Sequence, residues 1–277
     1  PADARLRVAL ETREDIVVAG LDIALECFRK LVPDAKITKH CEDGDAIAAK
    51  DVLAVVEGNA RGILTAERTA LNTLQHLSGI ATTTRSYVAA MGNTTARLLD
   101  TRKTLPGWRK MEKYATRMGG AQNHRMGLYD GVMIKDNHIG VVGSITECVK
   151  SARAANLPKI EVECDTLDQV REATDAGADI ILLDNMGPDM LRQAVAIVAG
   201  RCKTEASGGV NLQTIGAIAA TGVDYVSVGR ITQSAPAVDI GLDVAILRSG
   251  RITMNAIRPS PRIVETANWI FRDGGKV

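Results

Sequence analysis

The amino-acid sequence predicts an α/β protein in which a TIM-like barrel follows a small α+β unit. After Gly92, short apolar runs alternate with helical stretches of about ten residues, which is typical of a parallel sheet built from βα units. Gly177, Gly200 and Gly222 each follow one of these helices, where helix C-caps favour glycine. No G-x-G-x-x-G motif follows a predicted strand, so a doubly wound sheet is the weaker alternative.

Composition argues against two classes of function. The 277 residues contain 34 Lys plus Arg and 33 Asp plus Glu, for a net charge of +1, so no bulk positive field attracts nucleic acid or a membrane surface. Aromatic residues make up 3%, too few for stacking on single-stranded nucleic acid. No run approaches about 18 apolar residues, so no transmembrane helix is predicted. We therefore expect neither a nucleic-acid nor a membrane partner.

The five cysteines predict a reducing compartment. Their number is odd and no two form a C-x-x-C pair, which argues against both a disulfide framework and a zinc site. We therefore expect a cytoplasmic protein.

Residues 1–78 are predicted to form the small α+β domain. Residues alternate in strand fashion from Leu6 to Leu10 and from Ala35 to His40, and a short apolar run spans Val52 to Val56. A helix with one apolar face is predicted between the first two strands, from the spacing of Leu21, Leu25, Phe28 and Leu31. The turn at Gly44-Asp45 resembles that of lipoyl carrier domains, but it lacks their lysine.

A long helix is predicted from Glu67 to Met91, with a bend or break at Gly79, linking this domain to a barrel at residues 79–244. Six barrel strands are predicted, at Ala96–Asp100, Val132–Lys135, Ile160–Cys164, Asp179–Asp184, Thr204–Ala206 and Asp224–Val228. Residues 245–277 are predicted to be an atypical tail, because the βα pattern stops at Val244 and six Lys or Arg face two acids there.

Fixed positive charge is concentrated where the early barrel strands end. Active sites of such barrels lie at the carboxyl ends of the strands. Arg102, Lys103, Arg125 and Lys135 all fall at these ends or in the adjoining loops. Four like charges that converge need an anionic ligand, and arginine pairs well with planar carboxylates. By contrast, Arg109, Lys110 and Lys113 are expected on a solvated helix face, and His76 on a helix surface.

The late strands predict a phosphate site. Ser207-Gly208-Gly209 and Gly229 follow the fifth and sixth strands, where glycine lets backbone N–H groups approach a phosphate. Glu163 and Asp184 lie between the basic and the glycine-rich strand ends. Carboxylates beside a phosphate are best explained by Mg²⁺ or by sugar hydroxyls, so these two are the predicted metal ligands. Glu161, two residues before Glu163, is expected to point either into the barrel interior or at a helix.

These residues together resemble the quinolinate phosphoribosyltransferase family, also called nicotinate-nucleotide pyrophosphorylase (carboxylating). The resemblance covers roughly residues 1–244 and includes the late motifs Leu183-Asp184-Asn185 and Ser207-Gly208-Gly209-Val210. The more specific motifs are Arg102-Lys103-Thr104, Asn123-His124-Arg125 and Ile134-Lys135-Asp136-Asn137-His138-Ile139.

The resemblance implies an open-faced α/β sandwich joined to an incomplete α/β barrel. It also implies an Mg²⁺-dependent reaction of quinolinate with phosphoribosyl pyrophosphate that gives nicotinate mononucleotide, pyrophosphate and CO₂. Arg102, Arg125 and Lys135 would hold quinolinate, and Lys103 and His124 would complete a basic wall. Arg68 would reach into a neighbouring subunit's site, which implies a homodimer or a higher homo-oligomer.

The remaining site residues follow from the same resemblance. Lys103, Glu163 and Asp184 would serve catalysis, the two acids on the ribose and Mg²⁺ side. The 5-phosphate would be held by Ser207, Gly208, Gly209 and Gly229.

Two departures from the family pattern and three competing functions stand beside this interpretation. The family carries further residues before the first strand, so the chain is expected to start inside that segment, and the tail has no family counterpart.

A molybdenum-transport-associated paralogue is disfavoured by Lys135-Asp136-Asn137-His138. A Schiff-base aldolase with Lys135 as nucleophile is the second competing function, and a non-catalytic protein that binds phosphosugars or dicarboxylates is the third.

Overall fold

The computed structural model of the protein describes residues 2–245, which fall into two compact units. The first unit contains residues 2–16, 21–75 and 238–245, and the second contains Val17–Gly20 and His76–Ala237. The domain boundaries at residues 78 and 244 stay a prediction. Residues 246–277 of the predicted tail lie outside the described residues.

Strands and helices alternate through most of the described chain. The strands are β1 (Arg5–Thr12), β2 (Ile16–Val17), β3 (Lys36–Lys39), β4 (Ala46–Ile47), β5 (Val52–Asn59), β6 (Arg97–Leu99), β7 (Val132–Ile134), β8 (Ile160–Cys164), β9 (Ile180–Asp184), β10 (Lys203–Ser207), β11 (Tyr225–Ser227) and β12 (Ile240–Ala245). The helices are α1 (Leu21–Leu31), α2 (Ala60–Ala90), α3 (Arg109–Met118), α4 (Asp136–Val142), α5 (Ile145–Ala154), α6 (Leu167–Asp175), α7 (Pro188–Val198), α8 (Ile215–Ala219) and α9 (Arg230–Gln233).

The first unit is built on an antiparallel sheet with strand order β12-β1-β5-β3. Helix α1 buries Leu21, Leu25 and Phe28, as the apolar spacing predicts. The expectation is wrong for Leu31, which is 50% exposed because it is the last helical residue and Val32 takes the buried position beyond it. Strand β12 was not predicted from the sequence, although it pairs with β1 along its whole length.

Helix α2 runs unbroken from Ala60 to Ala90, so a break at Gly79 is wrong, while a bend there stays a prediction. Glycine is required at position 79 because the backbone of Pro236 lies close to the helix there: a Cβ at position 79 would lie 2.0 Å from the carbonyl oxygen of Pro236. The helix begins at Ala60, seven residues before the predicted start, because Asn59 caps it by accepting a hydrogen bond from the Gly62 N–H at 3.2 Å.

The second unit is built on a parallel sheet with strand order β6-β11-β10-β9-β8-β7. All six predicted barrel strands are present, with ends within one residue of the prediction. Within residues 2–245, β6 and β7 are the outer strands of this sheet and do not pair with each other, so the barrel is incomplete. One isolated parallel bridge, from Leu99 to Gln122, extends the sheet beyond β6. The sequence did not predict the short helices α4 and α9, because each follows its strand with almost no turn residues.

The barrel strands separate apolar from polar side chains by alternation. Val162 of β8, Leu183 of β9 and Ala206 of β10 belong to the apolar core between strands and helices. Because successive strand residues point to opposite faces, their neighbours Glu163, Asp184 and Glu205 point toward the barrel axis. The polar axis therefore carries the candidate site, and the core lies outside it.

Within residues 2–245, no helix combines the length and the apolar character needed to cross a lipid bilayer.

Candidate active site

A cavity of about 350 Å³, hereafter the mouth cavity, opens where the barrel strands end. Its wall brings together most of the cations that the sequence singled out. These are Arg102, Lys103, His124, Arg125 and Lys135. Residues from three different segments of the chain thus share one space.

The predicted acids lie in the same cavity. Glu163, Asp184 and Ser207 also line it. Lys135 Nζ forms an ion pair with Glu163 Oε2, so the charge of this lysine is partly compensated. Burial raises the pKa of Asp184, and the nearby carboxylates of Glu163 and Asp165 raise it further.

A second cavity of about 450 Å³, hereafter the glycine cavity, adjoins the first and shares Lys103, Asp184 and Ser207 with it. The remaining predicted phosphate residues line it, namely Gly208, Gly209 and Gly229. Gly208 has φ +90°, and a Cβ there would lie 2.2 Å from Asn185 Oδ1, so only glycine fits. The two halves of the predicted site therefore form one continuous polar space.

The two glycine segments stand in different relation to the helices that follow them. Helix α8 begins only at Ile215, six residues after Gly209, whereas Gly229 directly precedes α9, which is a single short turn. Close approach of the backbone at Gly208 and Gly209 is thus what this cavity offers to a phosphate.

His124 lies at the base of the mouth cavity, against two buried glutamates. Its Nε2 is 3.2 Å from Glu161 Oε2 and 3.4 Å from Glu205 Oε2. Burial opposes the charged form, but the contacts with the two carboxylates and their negative charges outweigh it and raise the pKa of His124 to about 10. Burial also raises the pKa of Glu161. Glu161 points toward the barrel axis, which is one of the two predicted orientations. Glu205 was not predicted as a site residue, because the recognisable motif in this part of the sequence is the glycine pair that follows β10.

The loop that carries His124 and Arg125 is anchored by a buried ion pair. Lys113 Nζ donates to Asp100 Oδ1 at 2.5 Å, and both side chains are fully buried. Asp100 also accepts from the His124 N–H at 2.8 Å, and Lys113 donates to the His124 carbonyl at 2.8 Å. The expectation that Lys113 is solvated is wrong, because its side of α3 faces the unit interior.

Two further expectations for this region are wrong. Arg109 is half-buried and donates to the carbonyls of Arg102 and Met126, each at 3.2 Å, so it ties two site loops together. His76 is not simply a surface residue, because its Nε2 lies 2.9 Å from Oε1 of the fully buried Glu112. Lys110 is exposed, as predicted.

Arg68 lies elsewhere in the chain. It belongs to the first unit, on α2, where its side chain is 76% exposed and contacts Glu67 at 3.0 Å. Its reach into a neighbouring subunit stays a prediction.

The axial acids fit a divalent cation. Glu163 and Asp184 converge on the mouth cavity, where burial and the Glu163 carboxylate both raise the pKa of Asp184. Hard oxygen donors of this kind are what Mg²⁺ prefers. To bind such an ion, the Glu163 carboxylate would have to weaken its ion pair with Lys135.

A cationic pocket suited to a carboxylate-bearing substrate adjoins a glycine-lined pocket suited to a phosphorylated substrate. This arrangement defines a barrel enzyme of the class that joins two such substrates. Comparison with known proteins narrows the class. Residues 1–78 match the family model described as the N-terminal domain of quinolinate phosphoribosyl transferase, and residues 80–243 match its C-terminal domain. The chain belongs to the quinolinate phosphoribosyltransferase family.

Individual relatives agree with the family models. The chain is 46% identical over 232 residues to the probable nicotinate-nucleotide pyrophosphorylase (carboxylating) of Bacillus subtilis, covering 83% of this chain and 80% of the relative. It is 43% identical over 251 residues to the Mycobacterium leprae protein named nicotinate-nucleotide pyrophosphorylase (carboxylating), covering 88% of each. The crystal structure of NadC from Streptococcus pyogenes has a TM-score of 0.86 at 40% identity, covering 90% of this chain and 89% of that one.

Proposed function

We propose that this protein transfers the phosphoribosyl group of phosphoribosyl pyrophosphate to quinolinate, with decarboxylation to nicotinate mononucleotide, as an enzyme of NAD biosynthesis. The observation that carries the proposal is the continuity of the two cavities. Cations suited to a pyridine dicarboxylate line one, glycines suited to a phosphate line the other, and Lys103, Asp184 and Ser207 belong to both.

Charge complementarity supports the assignment of substrates. Quinolinate is a dianion, and Arg102, Arg125 and Lys135 place three cations around one cavity. Burial and the nearby Arg102 both lower the pKa of Arg125, so a bound carboxylate would relieve the repulsion between the two guanidinium groups. The phosphosugar would lie with its 5-phosphate among Ser207 and the glycines of the second cavity.

The chemical steps need few protein groups. The pyridine nitrogen is unprotonated at neutral pH, and its lone pair forms the bond to C1 of the ribose while the bond from C1 to the pyrophosphate oxygen breaks. The electron pair of that bond leaves with pyrophosphate, so no general base is required. Lys103, at the junction of the two cavities, is the residue we assign to stabilising the charge on the departing group.

Decarboxylation follows ribosylation in this scheme. The ribosylated ring carries a positive nitrogen beside the carbon that bears the carboxylate. When that carbon–carbon bond breaks, CO₂ leaves, the electron pair stays on the ring carbon next to the cationic nitrogen, and a proton from water replaces the carboxylate. CO₂ release without the phosphoribosyl donor would contradict this order.

Magnesium would be held by Glu163 and Asp184 beside the glycine cavity. When bound, Mg²⁺ supplies charge neutralisation for the pyrophosphate leaving group. A homodimer in which Arg68 completes a neighbouring site remains part of the proposal. A cytoplasmic location is consistent with the five free cysteines of the described chain.

The direct test is an assay of the full chain with quinolinate, phosphoribosyl pyrophosphate and Mg²⁺, following pyrophosphate and CO₂ together. We expect stoichiometric release of both, dependent on Mg²⁺, and none from nicotinate in place of quinolinate. Binding of both ligands without turnover would instead identify a non-catalytic binding protein. Covalent trapping at Lys135 by borohydride with a carbonyl substrate would favour the aldolase, which its ion pair with Glu163 disfavours.

A further inference from the structure

Arg109, the first residue of α3, joins the two loops that carry Arg102 and Arg125, and the steps above do not use it. Its Nε donates to Thr104 Oγ1 at 3.0 Å and its Nη2 to the Arg102 carbonyl at 3.2 Å, both in the loop after β6. Its Nη1 donates at 3.2 Å to the carbonyl of Met126, the residue after Arg125. Among the described residues, the lining of the mouth cavity includes Arg102 and Arg125 but not Arg109.

The three hydrogen bonds use all three nitrogens of one guanidinium group. Because this group is planar and rigid, its nitrogens hold the three acceptors at fixed distances from one another. A lysine has a single ammonium group on a flexible stem and cannot span the same acceptors. Two acceptors belong to the loop after β6 and the third to the loop before β7, so the shape of Arg109 sets the separation of the two loops.

Each loop is also bonded internally at the point where Arg109 attaches. The Arg102 carbonyl accepts a second hydrogen bond, from the Thr104 N–H at 3.0 Å. The Met126 N–H donates to Asp130 Oδ2 at 2.6 Å. Arg109 therefore joins two loops whose backbones are already fastened, and a change in its length or shape would move one loop relative to the other.

Repulsion between Arg102 and Arg125 opposes this arrangement. Burial lowers the pKa of Arg125, and the positive charge of Arg102 lowers it further. Because like charges favour separation, the two guanidinium groups would tend to move apart when no anion is bound. The acceptors of Arg109 are a hydroxyl and two carbonyls, so its contacts hold the loops together without neutralising either cation.

We propose that Arg109 is a positioning residue that fixes the distance between Arg102 and Arg125, and that it thereby makes the site selective for a ring with two adjacent carboxylates over a ring with one. Two adjacent carboxylates can each pair with one arginine only when the two guanidinium groups are correctly spaced. A single carboxylate needs one arginine and is insensitive to the spacing. Arg109 acts through the two loops, and the inference rests on the proposed function, which it deepens.

The kinetic test is Arg109→Lys in the full chain, because lysine keeps the positive charge and loses the rigid fork. The KM for quinolinate should rise about 10- to 100-fold, since a displacement of about 1 Å in a site can cost about 100-fold. The KM for phosphoribosyl pyrophosphate should stay near its wild-type value, because Ser207 and the glycines that would hold its phosphate lie in other loops. An unchanged KM for quinolinate, or an equal rise of both KM values, would overturn the proposal.

Arg85→Lys is the matched control, because Arg85 makes the same kind of contact at the other end of α3. Its Nε donates to the Gly119 carbonyl at 3.1 Å and its Nη2 to the Met118 carbonyl at 3.2 Å. This variant should lower Tm, as Arg109→Lys should, but leave the KM for quinolinate unchanged. If Arg85→Lys raises that KM as much as Arg109→Lys does, any loosening of α3 suffices and Arg109 has no positioning role.

A binding test does not depend on turnover. Phthalate has the two adjacent carboxylates of quinolinate but no ring nitrogen, and benzoate has one carboxylate. In calorimetric titrations, wild type should bind phthalate more tightly than benzoate. Arg109→Lys should lose about tenfold or more of its affinity for phthalate and little of its affinity for benzoate. Equal losses for the two ligands, or no preference for phthalate in wild type, would refute the selectivity.

Thr104→Val is a second variant that decides the question if Arg109→Lys does not fold. It removes the acceptor of Arg109 Nε, so the KM for quinolinate should rise, by less than in Arg109→Lys, while the KM for phosphoribosyl pyrophosphate stays unchanged. A wild-type KM for quinolinate in this variant would contradict the proposal. If wild type binds phthalate but releases no pyrophosphate with quinolinate, the proposed function fails, and the ratio of phthalate to benzoate affinity in the variants still decides the role of Arg109.

Discussion

Removing the ammonium group of Lys113 should both destabilise the protein and impair its site. The perturbation is Lys113→Met, which keeps the length of the side chain and deletes the charge. Asp100 then loses its 2.5 Å ion pair and keeps hydrogen bonds from Thr116, Asn123 and the His124 N–H. Breaking one side of a fully buried pair costs about 3–5 kcal/mol, because the remaining charge is left without compensation.

That magnitude is a large fraction of the total stability. Folded proteins are stable by about 5–15 kcal/mol, and for units of this size each kcal/mol lowers Tm by about 2–4 °C. We therefore expect a loss of roughly 6–20 °C in Lys113→Met. Burial already lowers the pKa of Lys113, so Asp100→Asn should release the lysine proton more easily instead of leaving a full buried cation, and should cost less.

The assay is a double-mutant cycle by urea unfolding, with steady-state kinetics at a temperature where all variants are folded. The double variant should lose much less stability than the sum of the single losses, since both charges are gone. Its kcat/KM for quinolinate should still fall, because Lys113 and Asp100 no longer hold the backbone of His124. Single losses under about 1 kcal/mol that simply add would refute the reasoning.

Three further predictions concern the site and the long helix. Arg125→Ala and Lys135→Ala should each weaken quinolinate binding by about 1.5–3 kcal/mol in calorimetric titrations, as expected for lost charged hydrogen bonds, and an undiminished titration would contradict this. Gly79→Ala should destabilise by about 1–3 kcal/mol in urea unfolding, despite the helix preference of alanine, because its Cβ would meet the carbonyl of Pro236. Folding raises the pKa of His124 from 6.5 to about 10, so protonation of this histidine stabilises the folded protein fully below pH 6.5, and this contribution is lost as pH rises toward 10. In His124→Asn, the corresponding decrease of the unfolding free energy between these pH values should be absent.

The barrel was predictable from the sequence because its signals are local. Each strand is a short apolar run between turn residues, and the predicted strand ends place Lys135, Glu163 and Asp184 at one edge, where the structure has them. Because the strands are parallel, their carboxyl ends lie at the same edge of the sheet, and this alone brings residues that are distant in the sequence close together. The same logic fails for β12, whose pairing with β1 joins the two ends of the described chain and leaves no local signal.

The supporting network of the site was not predictable for a different reason. Lys113 and Arg109 have the composition of an exposed helix face, and only the packing of α3 shows that one is fully buried and the other half-buried. A charged residue can be buried when its partner is buried with it, and the partner Asp100 lies 13 residues away in the chain. Sequence spacing alone cannot distinguish such a pair from two solvated charges.

Alternation along the barrel strands connects stability to function in this protein. In β8, Val162 packs in the apolar core while Glu161 and Glu163 face the axis, and in β10 Ala206 packs outward while Glu205 faces inward. The outward face of these strands therefore stabilises the fold, and the inward face carries the charged residues of the site. Glu163 forms an ion pair with Lys135, and Glu161 and Glu205 contact His124. A shift of one residue in either strand would exchange the two faces, burying the acids in the core and exposing the aliphatic side chains to the cavity. The strand register that assembles the core is thus the same feature that sets the charge of the site.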